Sequence, residues 1–379
     1  MRGFLSHLEC GNCSHIEDAE VLQTVCSECG GPLLVRYDLD NPEMPKLTEI
    51  LTRAPGQFRF AEVLPAGAGS DSPTLGEGAT PLIKAPAFGP NVWIKDESQN
   101  PTGSFKARGM AVAMVRNLEL GATEFCLPSN GNAGSAAAAY AALLGVEVEI
   151  AVPANTPQTL IRESRAYGAD VILVDGTIAD AARDQRDRAA ANGWFSLATL
   201  HEPYRVEGKK MMGYELFWEM GRLPDVVFYP TGGGTGLIGM VKAFDEMETL
   251  GWIDATRPRM VAVQIEGCAP IVKAFHEEAD FAVPWEDPDF TAAYGLRVPA
   301  AIGDRLMLEG LRSTGGTGVT VTEADMLEAT SRLATQGGVW GSPEGGAVLS
   351  AFEQLRGSGW ISEEETVVLF NTGSALKYL

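Results

Sequence analysis

The stretch EFCLPSNGNAGSAAAAYAALLGVEVEIAVP, Glu124 to Pro153, decides the fold. Glu124 to Pro128 is a short apolar run closed by a proline and reads as a strand. Ala133 to Leu144 is rich in alanine and reads as a helix, and Val146 to Val152 is a second apolar strand. Two strands that are apolar throughout, joined through a helix, form a parallel pair whose sheet is covered on both faces. The alternation continues outward. Upstream lies the strand Val92 to Lys95. Downstream the sequence predicts helices over Gln158 to Tyr167, Ala179 to Ala191, Glu207 to Met220, Leu237 to Leu250, Ala324 to Gln336 and Gly346 to Leu355. Strands are predicted at Asp170 to Val174, Asp225 to Tyr229, Met260 to Ile265 and Glu365 to Phe370. The class is α/β with parallel sheets, and such sheets place their sites at the C-terminal ends of strands.

Two strand ends carry loops suited to that purpose. After Pro128 come Ser129, Asn130, Gly131, Asn132 and Ala133, where loop N–H groups and a helix N-terminus make an anion site sized for a carboxylate. After Pro230 come Thr231, Gly232, Gly233, Gly234, Thr235 and Gly236, whose glycines let successive N–H groups converge on one phosphate while two threonines offer hydroxyls. The glycine spacing is not that of a dinucleotide-binding loop.

A third stretch is KDESQNPTGSFKARG, Lys95 to Gly109. Pro101 and Gly103 mark a turn, Ser104 is a candidate N-cap, and the apolar run Met110 to Val115 follows. Lys106 then sits against the positive end of a helix, which favours the neutral amine that forms Schiff bases.

The chain has 379 residues and a formal charge of -21, from 29 Lys and Arg against 50 Asp and Glu. Such a surface repels phosphate backbones and anionic lipid, so nucleic acid and membranes are not expected partners. An anionic small molecule would need a local basic or N–H-rich pocket. No segment approaches the roughly 18 uninterrupted apolar residues of a membrane span, and the N-terminus lacks the pattern of a secretion signal. A cytoplasmic location is expected.

Cys10-Gly-Asn-Cys13 and Cys26-Ser-Glu-Cys29 form two C-x-x-C pairs with zinc-ribbon spacing. Four thiolates close a structural zinc site with no open position. Cys126 and Cys268 lie singly in apolar segments and read as buried hydrophobes. Asn41 to Leu75, rich in Pro, Gly and Ala, reads as a connector. Asp280 to Asp289 reads as a solvated acidic loop, and Glu344 as the cap of a helix at Gly346.

Together these motifs resemble one family. The Cys pairs with CGGPLLVRYD, GEGATPL, KDESQNPTGSFKARG, SNGNAG, PYRVEGKK (Pro203 to Lys210), PTGGGTG and the terminal NTGSALK occur in the order seen in fold type II pyridoxal-phosphate enzymes, within them the threonine synthase family. The resemblance spans nearly the whole chain. It implies two parallel-sheet lobes of the tryptophan synthase beta-like architecture with an N-terminal zinc-ribbon-like segment. That segment would be 1–40, the large cofactor-binding lobe 41–115 and 206–379, and the small mobile lobe 116–205. Lys106 would form the Schiff base with pyridoxal 5'-phosphate, flanked by Phe105. Asn132 would bond the ring 3'-oxygen, Thr231 to Thr235 would hold the phosphate, and Thr372 would face the ring nitrogen. A hydroxyl there leaves that nitrogen largely unprotonated and favours elimination and replacement over transamination. Ser104, Ser129, Asn130, Gly131, Ala133, Glu202 and Arg205 would bind substrate.

The implied activity is that of a lyase working through loss of the Cα proton and elimination or replacement at Cβ or Cγ. Threonine synthase, making threonine and phosphate from O-phosphohomoserine and water, is one reading. A paralogue eliminating ammonia or another group from a different amino acid is the second, and an inactive binding or regulatory protein is the third. The chain departs from the family at Ala107, where Asp is usual, at Ala133, where Thr is usual, and at Ala198 to Glu202, where an Asn-containing stretch is usual. All three surround the substrate. Retention of Lys106, Asn132, the glycine loop and Thr372 together speaks against the third reading. A homodimer is the family habit.

Overall fold

The computed structural model describes residues 4–65, 72–129 and 131–379. In chain order the strands are β1 (Leu5–Cys10), β2 (Ile16–Glu17), β3 (Leu33–Tyr37), β4 (Leu82–Lys84), β5 (Val92–Asp96), β6 (Glu124–Pro128), β7 (Glu147–Pro153), β8 (Asp170–Val174), β9 (Phe195–Ser196), β10 (Val226–Pro230), β11 (Arg259–Ile265), β12 (Thr317–Val321) and β13 (Val367–Asn371). The helices are α1 (Leu47–Ile50), α2 (Lys106–Glu119), α3 (Asn132–Leu144), α4 (Gln158–Ala166), α5 (Ile178–Asn192), α6 (Tyr204–Met220), α7 (Thr235–Thr249), α8 (Pro270–His276), α9 (Asp304–Ser313), α10 (Glu323–Thr335) and α11 (Pro343–Gly357).

These elements group into two compact units. The first comprises Met1–Ala79, Asn100–Thr102 and Lys106–Met211, and the second Thr80–Gln99, Gly103–Phe105 and Met212–Leu379. The backbone therefore passes between units five times, after residues 79, 99, 102, 105 and 211.

The first unit holds two sheets. Antiparallel β2-β1-β3 forms the N-terminal ribbon, and β8-β7-β6-β9 is parallel throughout. The alanines of α3 let it lie close to that sheet: a Cβ on Gly134 would come within 3.0 Å of Ile150. Helix α5 starts at a capping box in which Thr177 and Asp180 bond each other's backbone N–H groups. Helices α2 and α6 cross at glycines. A Cβ on Gly208 would lie 1.8 Å from the Arg108 carbonyl oxygen, and one on Gly109 would lie 2.9 Å from the Arg205 carbonyl oxygen.

The second unit is built on β12-β11-β10-β13-β5-β4, parallel except for the edge strand β4. Val319 packs into the apolar core beneath α11. Its neighbour Gly318 faces Val272 of α8. Adjacent strand residues point to opposite faces, so α8 and α11 cover the sheet from its two sides. A fully buried ammonium, Lys95 on β5, is satisfied by the Thr80 carbonyl at 2.7 Å and by the carboxylates of Glu215 at 3.1 Å and Glu219 at 2.8 Å. No helix among the described residues is long and apolar enough to cross a membrane.

Three local expectations change. The 41–75 stretch is more than a connector, because Gln57–Val63 forms a helical turn that buries Gln57, Arg59, Phe60 and Glu62. Ser104 does not cap a helix through its side chain: α2 begins at Lys106, and the Ser104 hydroxyl is buried with no hydrogen-bond partner among the described residues. Helix α11 begins at Pro343 rather than Gly346, with Ser342 at its N-cap, and Glu344 caps nothing.

The α2–α6 crossing predicts a sharp contrast between two glycine substitutions. Gly208→Ala should lower the urea midpoint by the equivalent of about 2–3 kcal/mol, since backbone must move to admit the methyl group. Gly357→Ala, where a Cβ meets nothing within 4 Å, should be neutral or stabilising by about 0.5 kcal/mol. Equal midpoints for the two variants would contradict the crossing geometry.

Candidate active site

In the first unit, Lys106 is the opening residue of α2. The SNGNAG loop precedes α3, and its described members are ordered by one hydroxyl. Ser129 Oγ accepts from Gly131 N at 3.1 Å and Gly134 N at 3.0 Å. It thus caps the loop and the first turn of α3 together. Asn130 lies outside the described residues. Asn132 Oδ1 is buried with no hydrogen-bond partner among the described residues, so an acceptor stands ready for a donor that the protein does not supply. Ala133 follows it on the first turn of α3.

The start of α6 supplies the charges of this unit. Glu202 is fully buried, and its two oxygens accept from Tyr204 N at 2.8 Å and Arg205 N at 3.0 Å. It is a helix cap as well as a charge. Burial pushes its carboxyl up, opposed by Arg205. Arg205 is equally buried and donates through Nη1 to the Leu197 carbonyl at 2.5 Å and to Thr199 Oγ1 at 3.4 Å. Its Nε is buried with no hydrogen-bond partner among the described residues. Lys209, one turn further on, is also completely buried, and the sequence reading did not single it out. Glu207 and Lys210 pair with each other at 2.6 Å, and the Tyr37 hydroxyl donates to Glu207 at 2.6 Å.

In the second unit, the glycine loop follows β10. Gly234 sits at φ 77° as N-cap of α7, and no side chain caps that helix. Its first N–H groups therefore face the loop with positive partial charge. The loop lies close against its neighbours because Cβ atoms are absent. One on Gly232 would meet the Gly295 carbonyl oxygen at 2.1 Å, and one on Gly234 would meet Met307 Sδ at 2.1 Å. Thr235 is buried at the helix start, while the Thr231 hydroxyl donates to the Tyr229 carbonyl at 2.9 Å. Phe105 packs edge-on against Tyr229, with centroids 6.1 Å apart.

The C-terminal segment makes a polar corner in the same unit. Phe105 N donates to the Thr372 carbonyl at 3.1 Å, and Ser342 N donates to the Gly373 carbonyl at 2.8 Å. Bridges join Ser104 to Gly373 and Gly341 to Ser374. Thr372 is thus fixed beside two buried hydroxyls, Ser104 and Ser342, that have no hydrogen-bond partner among the described residues. Ser342 escaped the sequence reading, which looked two residues on to Glu344. Glu344 instead braces the loop: Gly295 N donates to it at 2.9 Å and the Tyr378 hydroxyl at 2.8 Å. That holds Gly295 against Gly232.

The cysteine cluster is separate chemistry. Cys10 and Cys29 sulfurs are 3.4 Å apart, Cys13 and Cys26 sulfurs 3.7 Å, and all four lie within 4.8 Å of one another. Tetrahedral zinc with bonds of about 2.3 Å spaces its sulfurs by about 3.8 Å, so the donor set fits the metal. Asn12 N donates to Cys10 Sγ at 3.3 Å, as in a zinc knuckle.

Comparison with known proteins agrees with these groups. Residues 73–373 match the family described as "Pyridoxal-phosphate dependent enzyme". The threonine synthase of Methanosarcina acetivorans is 32% identical over 378 residues, 98% of this chain and 92% of that protein. That of Methanocaldococcus jannaschii is 31% identical, covering 97% of this chain and 92% of its own. Among solved structures, a threonine deaminase from T.th. matches with a TM-score of 0.67 at 24% identity, over 87% of this chain and 98% of that one. Maize serine racemase matches with a TM-score of 0.67 at 20% identity, over 78% and 88%. At those identities the two structures speak for the fold alone. The glycine cradle and the hydroxyl corner, both in the second unit, fit the phosphate and ring nitrogen of pyridoxal phosphate.

Two measurements follow. Elemental analysis of protein purified without chelators should find about one zinc ion per chain, with Cys26→Ser lowering both zinc content and thermal midpoint. Gly234→Ala should weaken pyridoxal phosphate binding about tenfold or more with little change in far-UV circular dichroism, because a left-handed residue and the Met307 contact both oppose the methyl group.

Proposed function

The chain belongs to the pyridoxal-phosphate dependent enzymes and, within them, to the threonine synthase family, and we propose that it converts O-phosphohomoserine and water to threonine and phosphate. The observation that carries the substrate reading is Arg205, a completely buried guanidinium whose Nε has no hydrogen-bond partner among the described residues. A buried cation with an open donor calls for an anion beyond the cofactor's own phosphate. Both Glu202 oxygens accept from N–H groups at the start of α6.

When bound, pyridoxal phosphate supplies the sink for negative charge that forms on the substrate carbons. The residue roles are as follows. Lys106 would hold the cofactor through its amine and would take the proton from the substrate's Cα. Ser129 and the N–H groups after it orient the substrate carboxylate. Arg205 holds the phosphate that leaves from Cγ, and water then adds at Cβ. In the second unit, the Gly232 to Thr235 loop would take the cofactor phosphate, and Thr372 with Ser104 and Ser342 would place neutral hydroxyls at the ring nitrogen. Neutral donors there suit elimination and replacement.

The enzyme is further proposed to be a cytoplasmic homodimer. Trp340, Leu376 and Leu379 leave apolar surface exposed. Sedimentation at one-chain mass would contradict the dimer.

Purified enzyme should be yellow, and Lys106→Ala should lose both the colour's sensitivity to borohydride and at least about a thousandfold of turnover. O-phosphohomoserine should yield threonine and phosphate in equal amounts. Release of ammonia and a keto acid from serine or threonine, with no phosphate from O-phosphohomoserine, would overturn the substrate assignment in favour of an ammonia-lyase.

A further inference from the structure

One carbonyl oxygen of the N-terminal ribbon reaches both of the helices that cross at Gly109 and Gly208. Ala19 is buried and lies in the stretch between Cys13 and Cys26. Its oxygen accepts from Arg116 Nη2 of α2 at 2.8 Å and from the Tyr204 hydroxyl, at the start of α6, at a longer 3.4 Å. The next residue, Glu20, pairs with the same guanidinium at 3.0 Å, and that guanidinium lies 5.9 Å from the centroid of the Tyr204 ring. The end of β3 makes a second contact. There the Tyr37 hydroxyl donates to Glu207 at 2.6 Å, and its ring lies 4.0 Å from Lys210 Nζ. Tyr204, Glu207 and Lys210 recur every third residue, so the ribbon covers one stripe of α6. The neighbouring stripe, Arg205 and Gly208, meets α2. Tyr204 and Arg205 share the first turn of α6, so the ribbon grips the turn that carries Arg205.

The four-cysteine cluster is what can hold Ala19 there. Residues 18–25 form neither helix nor strand. The segment is closed by Cys13 and Cys26, whose sulfurs lie 3.7 Å apart. A metal on the four sulfurs fixes both ends of that loop, and without it chain entropy works against any one position for the Ala19 carbonyl.

We propose that the Ala19 carbonyl is a metal-dependent staple across α2 and α6, and that zinc in the ribbon thereby positions Arg205 for the substrate. Arg116, Tyr204 and Tyr37 are positioning residues, acting through α6 rather than on the substrate. This goes beyond the proposed activity and rests on it only for the identity of the substrate. Loss of the metal frees the 18–25 segment, withdraws the acceptor from Arg116 and Tyr204, and loosens the first turn of α6. The glycine loop of the second unit keeps its own supports, among them Glu344 on Gly295. Substrate binding should therefore weaken while cofactor binding does not.

The test uses the full chain loaded with pyridoxal phosphate, either replete with zinc or stripped by dipicolinate under reducing conditions. On stripping, hydrogen exchange at the 204–210 amides should quicken about tenfold or more, recover when zinc is returned, and stay unchanged in β10 and β13. KM for O-phosphohomoserine should rise about fivefold or more, with kcat changed less. Arg116→Met should keep about one zinc ion per chain, yet exchange at 204–210 nearly as fast as the stripped enzyme and respond far less to zinc. If that variant does not fold, Tyr204→Phe, which loses only a hydroxyl, carries the same comparison. Exchange at 204–210 indifferent to zinc, equal loosening of β10 and β13, a full zinc response in the variant, or an unchanged KM would each overturn the proposal. Zinc-dependent protection of α6 in an enzyme that makes no threonine would remove the substrate reading and leave the staple. Threonine synthesis with α6 indifferent to zinc would do the reverse.

Discussion

Where α2 and α6 cross, the backbone of Gly208 rests on the carbonyl of Arg108, and no other residue type fits between them. Much of the first unit's chemistry depends on that approach. Because the helices meet without side chains, Arg205 and Lys209 fall on the same side of α2 as Lys106. A pair of ordinary residues at Gly109 and Gly208 would separate the helices and disperse the cations.

The second unit solves a different problem, which is to hold neutral groups in place. Thr372, Ser104 and Ser342 are positioned by backbone hydrogen bonds rather than by their own side chains. Their hydroxyls therefore remain available for a ligand. Glu344 acts at one remove: by binding Gly295 and Tyr378 it holds the Gly295 carbonyl close to Gly232.

Much of this was legible in the sequence, for stated physical reasons. Apolar runs such as Glu124–Pro128 and Met260–Ile265 announce buried parallel strands, and the C-x-x-C spacing announces the four-sulfur cluster. Glycine at Gly232 and Gly234 marks positions where only a missing Cβ makes room. Other features left no such trace. Strand β12, TGVTV, is too polar to stand out, although the sheet buries it. Arg59 and Gln57 look like surface residues and are buried through backbone partners such as the Arg53 and Arg108 carbonyls. Ser342 and Lys209 carry no motif of their own. Their standing comes from burial and from neighbours distant in sequence, which one-dimensional patterns do not record. Ser104 was misread for the opposite reason, since a residue type that often caps helices is here held by a bridge to Gly373.

The five passages of the chain between units also bear on how the protein is made. Strand β5 pairs with β13, and Asn371 donates to Asp96 across a sequence separation of 275 residues. On a ribosome adding about 5–20 residues per second, that partner arrives roughly 15 to 55 s after β5 emerges. Throughout that interval β5 lacks its β13 neighbour, while Asn100–Thr102 and Lys106–Met211 of the first unit are being synthesised. The polar corner around Thr372 is therefore among the last features of the nascent chain to form, so a molecule released before its final ten residues would lack Thr372 and the Gly373 backbone that holds Ser104 and Ser342 in place.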